Sequence, residues 1–463
     1  MQKRLMSLTL LLGLLMVFLP LRVRADADRP YGICSHLTGN EYTQRTAIAA
    51  SLAEANIKLV RCDFAWWDVE RSPGVWNYNK FDAAVSAANA NGIQLLAVLG
   101  WPPAWGKPAN AQANLLKWRT YVQNVVNRYK TSIKYWEIAN EINFKENKPD
   151  LNERVTAADY VGQLRDAYTV IKAIDLSLQV LFSGLANNLN DPWSIDLPYL
   201  DRCYSAGCEG YFDAMNVHPY RWWTVSPPEQ AITAGNRGTL FREIENLRTF
   251  LEARHGATTP IWVMEMGYPT TSADPHGTAE ADQGRWLPRT FLCLLQLGVE
   301  RVFWYEYLDD AKGSDIYEKK FGLRADLDSA KSAWNTFKTL VAMRPPGSGC
   351  LNPTHWKDAA ETTFYAQWLR PDGNTGWGLW TTSANSAYTF TPGGTLVGCY
   401  DELGVNKTYT NNGDGTITVI IGPDITYVVA TSPGPTSVTT IGAKVMGPVN
   451  MPTRMSVQTN RGR

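Results

Sequence analysis

Between Tyr31 and Met343 the sequence switches eight times between a short β-rich run and a longer stretch of helical periodicity. The β-rich runs are Tyr31 to Ser35, Ile57 to Phe64, Ile93 to Gly100, Ile133 to Ala139, Leu178 to Ser183, Phe212 to Val217, Pro260 to Glu265 and Val299 to Tyr305. Between them, segments such as Glu41 to Asn56, Phe81 to Asn91 and Asn114 to Lys130 carry apolar residues three and four positions apart, the spacing of one helix face. Such alternation builds a parallel sheet covered by helices, because a parallel strand can be reached only by crossing over. Eight units are enough to close the sheet on itself. The expected fold class is therefore α/β, a (β/α)8 TIM barrel, with its working residues at the ends of the strands, where side chains from all eight converge.

The pattern stops at Arg344-Pro345-Pro346-Gly347. Beyond it, short Thr, Tyr, Trp and Val runs alternate with Gly, Asn and Asp turns, and Asn411-Asn412-Gly413-Asp414-Gly415 followed by alternating Thr416 to Ile421 reads as a hairpin. The expected organisation is a barrel over residues 26–345, a small antiparallel β-sandwich-like domain over 346–431, and a disordered Pro-, Gly-, Ser- and Thr-rich tail over 432–463. At the other end, Lys3 and Arg4 precede an apolar run from Leu5 to Leu21 and then Val23-Arg24-Ala25, the layout of a secretory signal peptide over residues 1–25. Gly13 and Pro20 interrupt the run, and no later segment is apolar enough to span a bilayer, so the mature chain is expected outside the cytoplasm, extracellular or periplasmic, with no transmembrane anchor.

Charge narrows the partners. The chain carries 44 basic and 44 acidic residues, and loss of Lys3, Arg4, Arg22 and Arg24 with the leader leaves a slight acidic excess. Nucleic acid and anionic lipid are poor partners for such a surface. The 18 Trp and 21 Tyr exceed what a core needs, and sugars stack on aromatic faces, so the excess fits either carbohydrate binding or packing. Of the seven cysteines, Cys203 and Cys208 bracket a short loop they could close, Cys350 and Cys399 could pair across the second domain, and Cys34 and Cys62 read as buried thiols. None has metal-ligand spacing, and no metal or organic cofactor is expected.

Two strand ends carry the chemistry. Tyr135-Trp136-Glu137-Ile138-Ala139-Asn140-Glu141 closes the fourth run on a carboxylate preceded by an amide, and Ile261-Trp262-Val263-Met264-Glu265 closes the seventh on another. Glu141 and Glu265 should face each other across the barrel mouth. Glycoside cleavage needs such a pair, one acid to protonate the leaving oxygen and one carboxylate to meet the oxocarbenium-like centre. Glu70, Glu137 and Glu306 read instead as exposed or salt-bridged structural residues.

The Asn140-Glu141 pair at strand four and Glu265 at strand seven resemble the clan A glycoside hydrolases, and within them family 39 and the related bacterial polysaccharide-active endoglycosidases. The likeness extends through Trp67-Asp68-Val69-Glu70 and Pro73-Gly74-Val75-Trp76, Val217-His218-Pro219-Tyr220, Val302-Phe303-Trp304-Tyr305 and Phe321-Gly322-Leu323. It implies a secreted retaining β-glycosidase that hydrolyses O-glycosidic bonds of a polysaccharide or oligosaccharide by double displacement, with Glu141 as acid/base and Glu265 as nucleophile. Support is expected from Asn140 on the substrate 2-hydroxyl, from Arg61 and Tyr220 on Glu265, from His218 as an orienting residue, and from Trp304 as the floor under the sugar. Trp101 and Trp222-Trp223 are either subsite walls or packing, and Arg61 could instead pair with Asp63 or sit in the barrel core. The clan commonly has proline after the strand-four Glu, where this chain has Ile142. A non-catalytic carbohydrate-binding surface protein and a transglycosylase are the alternatives on the same scaffold.

Overall fold

The computed structural model describes residues 29–432, apart from 108–111, 147–153, 189–190, 222–225, 232–237, 256–258, 273 and 311–316. The leader, the tail beyond Ser432 and Trp222-Trp223 lie outside the described residues.

Each of the eight β-rich runs forms a strand, two of which extend one residue past the run: β1 Tyr31–Cys34, β2 Leu59–Ala65, β3 Gln94–Gly100, β4 Tyr135–Ile138, β5 Gln179–Leu181, β6 Met215–Val217, β7 Ile261–Met266 and β8 Arg301–Trp304. They form one parallel sheet in the order β6-β7-β8-β1-β2-β3-β4-β5. Parallel bridges from Leu181 to Ala214 and from Leu185 to Val217 join β5 to β6 and close the barrel. The connecting helices are α1 Arg45–Glu54, α2 Asn79–Ala90, α3 Gln112–Tyr129, α4 Ala157–Ile174, α5 Leu197–Ser205, α6 Leu240–His255, α7 Glu280–Gln296 and α8 Ser332–Met343. Local chemistry sets their starts: Thr156 and Asp159 form a reciprocal capping box on α4, and Asp196 caps α5 ahead of Pro198.

Strand alternation divides the core in two. Outward-facing Val60, Cys62, Phe64, Trp136 and Ile138 join the helices in the large apolar cluster. Inward-facing Cys34, Leu59, Leu96, Val98, Leu181, Ala214, Trp262, Met264 and Phe303 fill the barrel itself. Gly32 belongs to this inner packing, because a Cβ there would lie 2.4 Å from the Phe303 ring. The interior is thus solid below the mouth.

The second unit comprises β9 Gly349–Leu351, β10 Thr363–Leu369, β11 Asn374–Thr381, β12 Ser386–Phe390, β13 Leu396–Tyr400, β14 Tyr409–Asn411, β15 Ile417–Ile421 and β16 Thr426–Thr431. These make a five-stranded antiparallel sheet, β9-β10-β11-β16-β13, and a three-stranded one, β12-β15-β14. The hairpin expected around Gly413 joins β14 to β15. Helix α7 is buried almost throughout from Gln283 to Gln296, because the barrel covers one side and the five-stranded sheet the other. Arg289 pairs with buried Glu229, which also accepts the Trp380 indole N–H at 2.7 Å and so ties the sheet to the barrel.

No disulfide links the seven cysteines, so neither of the two pairings that the sequence allows is formed. Cys350 in β9 and Cys399 in β13 stand at opposite edges of the five-stranded sheet. Four strand spacings of about 4.8 Å separate them, far beyond disulfide reach. Cys203 and Cys208 pack as buried thiols in the main apolar core.

Candidate active site

A cavity of about 440 Å³ opens at the C-terminal end of the strands. Arg61, Asn140, Glu141, Tyr220, Glu265 and Trp101 all line it, so six of the eight site residues expected from sequence converge there.

Three departures from regular strand geometry put them in place. In β7, Val263 pairs with Val302 of β8 while Met266 pairs with Trp304, so Met264 and Glu265 together oppose Phe303. This extra residue is a β-bulge, a device that re-aims side chains. Met264 stays in the barrel interior and Glu265 also turns inward to the cavity, whereas strict alternation from Val263 would send it outward among the helices.

Beyond β4, Ala139 and Glu141 adopt left-handed φ values of +64° and +45°. Side-chain-bearing residues take that region at a cost of about 1 to 2 kcal/mol each. The irregular turn brings Asn140 and Glu141, neighbours in sequence, into one cavity. Gly184 secures it: its carbonyl accepts from Glu141 N at 3.0 Å and its N–H donates to Glu137 at 3.1 Å. A Cβ on Gly184 would fall 1.9 Å from His218 Nε2, so only glycine lets the backbone pass this close. The Ile142 N–H donates to Ser183 Oγ at 3.3 Å, a bond that proline could not make.

One guanidinium organises the site. Arg61 Nη1 donates to Glu265 Oε1 at 2.5 Å, Nε and Nη2 donate to the two Glu137 oxygens at 2.6 and 3.0 Å, and Nη2 also donates to Asn140 Oδ1 at 2.6 Å. With its oxygen so committed, Asn140 keeps its NH2 for a ligand. The Tyr220 hydroxyl donates to Glu265 Oε2 at 2.9 Å. His218 Nδ1 sits 3.0 Å from Glu141 Oε1 and 3.6 Å from Glu265 Oε2. One oxygen from each of these glutamates and a His218 ring nitrogen all lie within 4.8 Å of one another. Burial would raise the Glu265 carboxyl, but His218, Arg61 and the Tyr220 hydrogen bond outweigh it and hold the group below the ordinary carboxylate range. His218 is fully buried under the cavity and orients Glu141 without lining the pocket.

Trp304 is a correction. Phe303 points into the barrel, so Trp304, one residue on, points outward and packs fully buried against Phe291 and Tyr268 in the main core. The aromatic that reaches the cavity from this strand end is Tyr305, joined to Glu306 by a cis peptide bond. With Tyr220 and Phe321 it forms an edge-to-face set, ring centroids 5.6 to 6.4 Å apart.

Glu137 is salt-bridged, as expected, and its partner is the same Arg61 that holds Glu265. It is 0% exposed, and a bare carboxylate there would be prohibitive without Arg61. Period-two counting back from the strand end was the available signal. Glu70 proved buried too, held by the Trp66 indole and Gly74 N–H at 2.8 Å each, and Glu306 is buried beside His36.

Comparison with known proteins agrees in fold and in placing the chain among the glycoside hydrolases. The family model described as Cellulase (glycosyl hydrolase family 5) matches residues 26–305. A family 39 glycoside hydrolase from Bacteroides cellulosilyticus superposes with a TM-score of 0.70 at 21% identity, covering 87% of this chain and 81% of that one. The family 39 enzyme of Xanthomonas axonopodis pv. citri gives 0.60 at 16% identity over 88% and 95% of the two chains. The family 30 endoxylanase of Clostridium papyrosolvens gives 0.58 at 12% identity over 89% and 98%. At these identities the likeness is one of fold. An endo-1,4-beta-xylanase/feruloyl esterase of Xylanibacter ruminicola is 25% identical over 122 residues, 24% of this chain and 17% of that protein's length.

Proposed function

The chain belongs to the cellulase family, glycosyl hydrolase family 5, and is a glycosidase; from that premise we propose that it cleaves β-glycosidic bonds with retention, Glu265 acting as nucleophile and Glu141 as acid/base. The carrying observation is the spacing of the two carboxylates, whose nearest oxygens lie within 4.8 Å. Retaining enzymes hold the pair about 5 to 5.5 Å apart, whereas inverting enzymes leave about 6.5 to 9.5 Å for a water between them.

In the first step Glu265 attacks the anomeric carbon while the Glu141 proton passes to the glycosidic oxygen. The C–O bond breaks, and the departing chain leaves as an alcohol. In the second step Glu141 takes a proton from water, the water oxygen attacks the same carbon, and the ester to Glu265 breaks. The low proton affinity of Glu265 favours an ionised nucleophile, and the Asn140 NH2 is free to donate to the substrate 2-hydroxyl. A polysaccharide or oligosaccharide substrate is in keeping with the Cellulase description of the matching family model, and the leader-like residues 1–25 support secretion.

Two measurements test the reading. A fluoroglycoside inactivator should attach covalently to Glu265, located by peptide mass spectrometry. Proton NMR of early hydrolysis should show the β-anomer first. An α-anomer product refutes retention, and near-normal turnover by Glu141→Gln or Glu265→Gln refutes the assignment of roles.

A further inference from the structure

The wall of the cavity formed by the ends of β1 and β2 takes no part in those steps. His36 follows β1, and Asp63 stands one pleat above Arg61 on the inward face of β2. The His36 ring is held from both sides, Nδ1 at 3.6 Å from Asp63 Oδ2 and Nε2 at 3.3 Å from Glu306 Oε2. Its backbone N–H and the Ser35 hydroxyl donate to the buried Glu41 carboxylate at 2.6 and 2.5 Å, which fixes the loop. The Asp63 side chain remains 35% exposed to the cavity. Among the described residues no donor lies closer to its carboxylate than His36 Nδ1.

Burial would raise Asp63, but the His36 contact and charge, with Arg61 behind, hold it below the ordinary carboxylate range. Burial would lower His36, but Asp63 and Glu306 raise it well above its ordinary value. The pair is an ion pair near neutral pH, and a carboxylate has about four acceptor positions, most of them open here.

We propose that Asp63, backed by His36, clamps ring hydroxyls of the sugar bound beside Glu265, and that this wall restricts the subsite to uncharged sugars. The inference rests on the glycosidase reading above. Two neighbouring hydroxyls can donate to the two oxygens of one carboxylate, and because His36 already balances the Asp63 charge, hydroxyl donors suffice without an ammonium group. A sugar carboxylate fits badly. Among the described lining residues the cationic groups are Arg61 and His36, and both are committed, to Glu137 and Glu265 and to Asp63 and Glu306. A uronic acid would add an anion beside Asp63 and Glu265 with no uncommitted cation to meet it among the described lining residues.

The test uses the full chain on matched neutral and acidic substrates: nitrophenyl β-glycosides with the corresponding β-glucuronide, and β-mannan with β-mannuronan. Release is expected from neutral substrates only. On the best neutral substrate Asp63→Ala should lower kcat/KM on the order of 10- to 100-fold, the size of one or two hydrogen bonds to a charged group. That loss should vanish on the one or two monodeoxy analogues lacking the clamped hydroxyls. Asp63→Asn, which keeps the shape, should melt like wild type and show the same analogue dependence. Equal turnover of the acidic partner, a loss identical on every analogue, or an Asp63→Ala effect below about twofold overturns the clamp. Release from none of the substrates removes the hydrolase reading and the clamp with it.

Discussion

Cutting away the shared guanidinium tests whether it organises the site. Arg61→Met leaves Glu137, which has no solvent contact, with the Gly184 N–H, whereas Glu265 keeps Tyr220 and His218 and borders the cavity. Removing one partner of a buried ion pair costs about 3 to 5 kcal/mol, because the other charge is left uncompensated. Arg61 is only 5% exposed, so solvent screening gives little relief. Most of the cost should come from Glu137, and adding Glu137→Gln should therefore return about 1 to 3 kcal/mol. Urea denaturation of wild type, both single variants and the double variant at neutral pH measures this, and the double variant should be more stable than Arg61→Met alone. An Arg61→Met loss below about 1 kcal/mol, or a double variant equal to the sum of the singles, would show that the two groups do not share one charge. The pH profile supplies a second readout. Glu265 is depressed in the folded state, so its stabilising contribution is complete above the ordinary carboxylate range and is lost as pH falls through its lower folded value. Arg61→Met removes part of that depression, and the acid limb of kcat/KM should move to higher pH.

Tyr220→Phe removes a 2.9 Å donor from Glu265 and should shift the same limb upward while lowering kcat/KM by about 10-fold or more; an unchanged profile would separate Tyr220 from the nucleophile. Trp304→Ala should cost about 3 to 5 kcal/mol in stability with no change in KM for the folded fraction, since the indole is core. A raised KM at wild-type stability would return Trp304 to the sugar. Burial, partly offset by His36, raises Glu306 to about 7, so the folded state holds its proton longer than the unfolded chain. Wild-type melting temperature should accordingly decline as pH rises from the ordinary carboxylate range to about 7, and Glu306→Gln should decline less; equal slopes refute the assignment. His36, raised in turn, loses its contribution only as pH rises through its own higher value.

The barrel was legible because eight β-rich runs and their helical spacers are long-period patterns that survive errors of a residue or two at every boundary. The carboxylate pair was legible because Asn140-Glu141 and Glu265 each end an apolar run. What failed was single-residue phase. The family resemblance puts Trp304 under the sugar, yet Phe303 occupies the inward position and sends its neighbour outward. The same counting would have sent Glu265 outward as well, and a bulge that no residue type announces brings it in. Cys350 and Cys399 misled for a related reason, since strand order in an antiparallel sheet does not follow sequence order.

The buried Glu137 gives the site a property that neither Glu141 nor Glu265, the two carboxylates proposed to act, could supply. Before reaction, in the proposed mechanism, Arg61 faces two anions, Glu137 and Glu265. When Glu265 bonds to the anomeric carbon its charge disappears, and a guanidinium paired with Glu265 alone would then be a stranded cation in a nearly dry site. Glu137, bound through Nε and Nη2, keeps Arg61 compensated throughout. The glycosyl-enzyme is thereby spared the several kcal/mol that an uncompensated buried ion costs. Because these contacts also fix the guanidinium plane, Nη1 stays aimed at the nucleophile and Nη2 at Asn140 without reorganisation between the two steps. In the proposed mechanism, the strand-four residue that looks most structural is thus what lets one arginine serve both the free carboxylate and its ester.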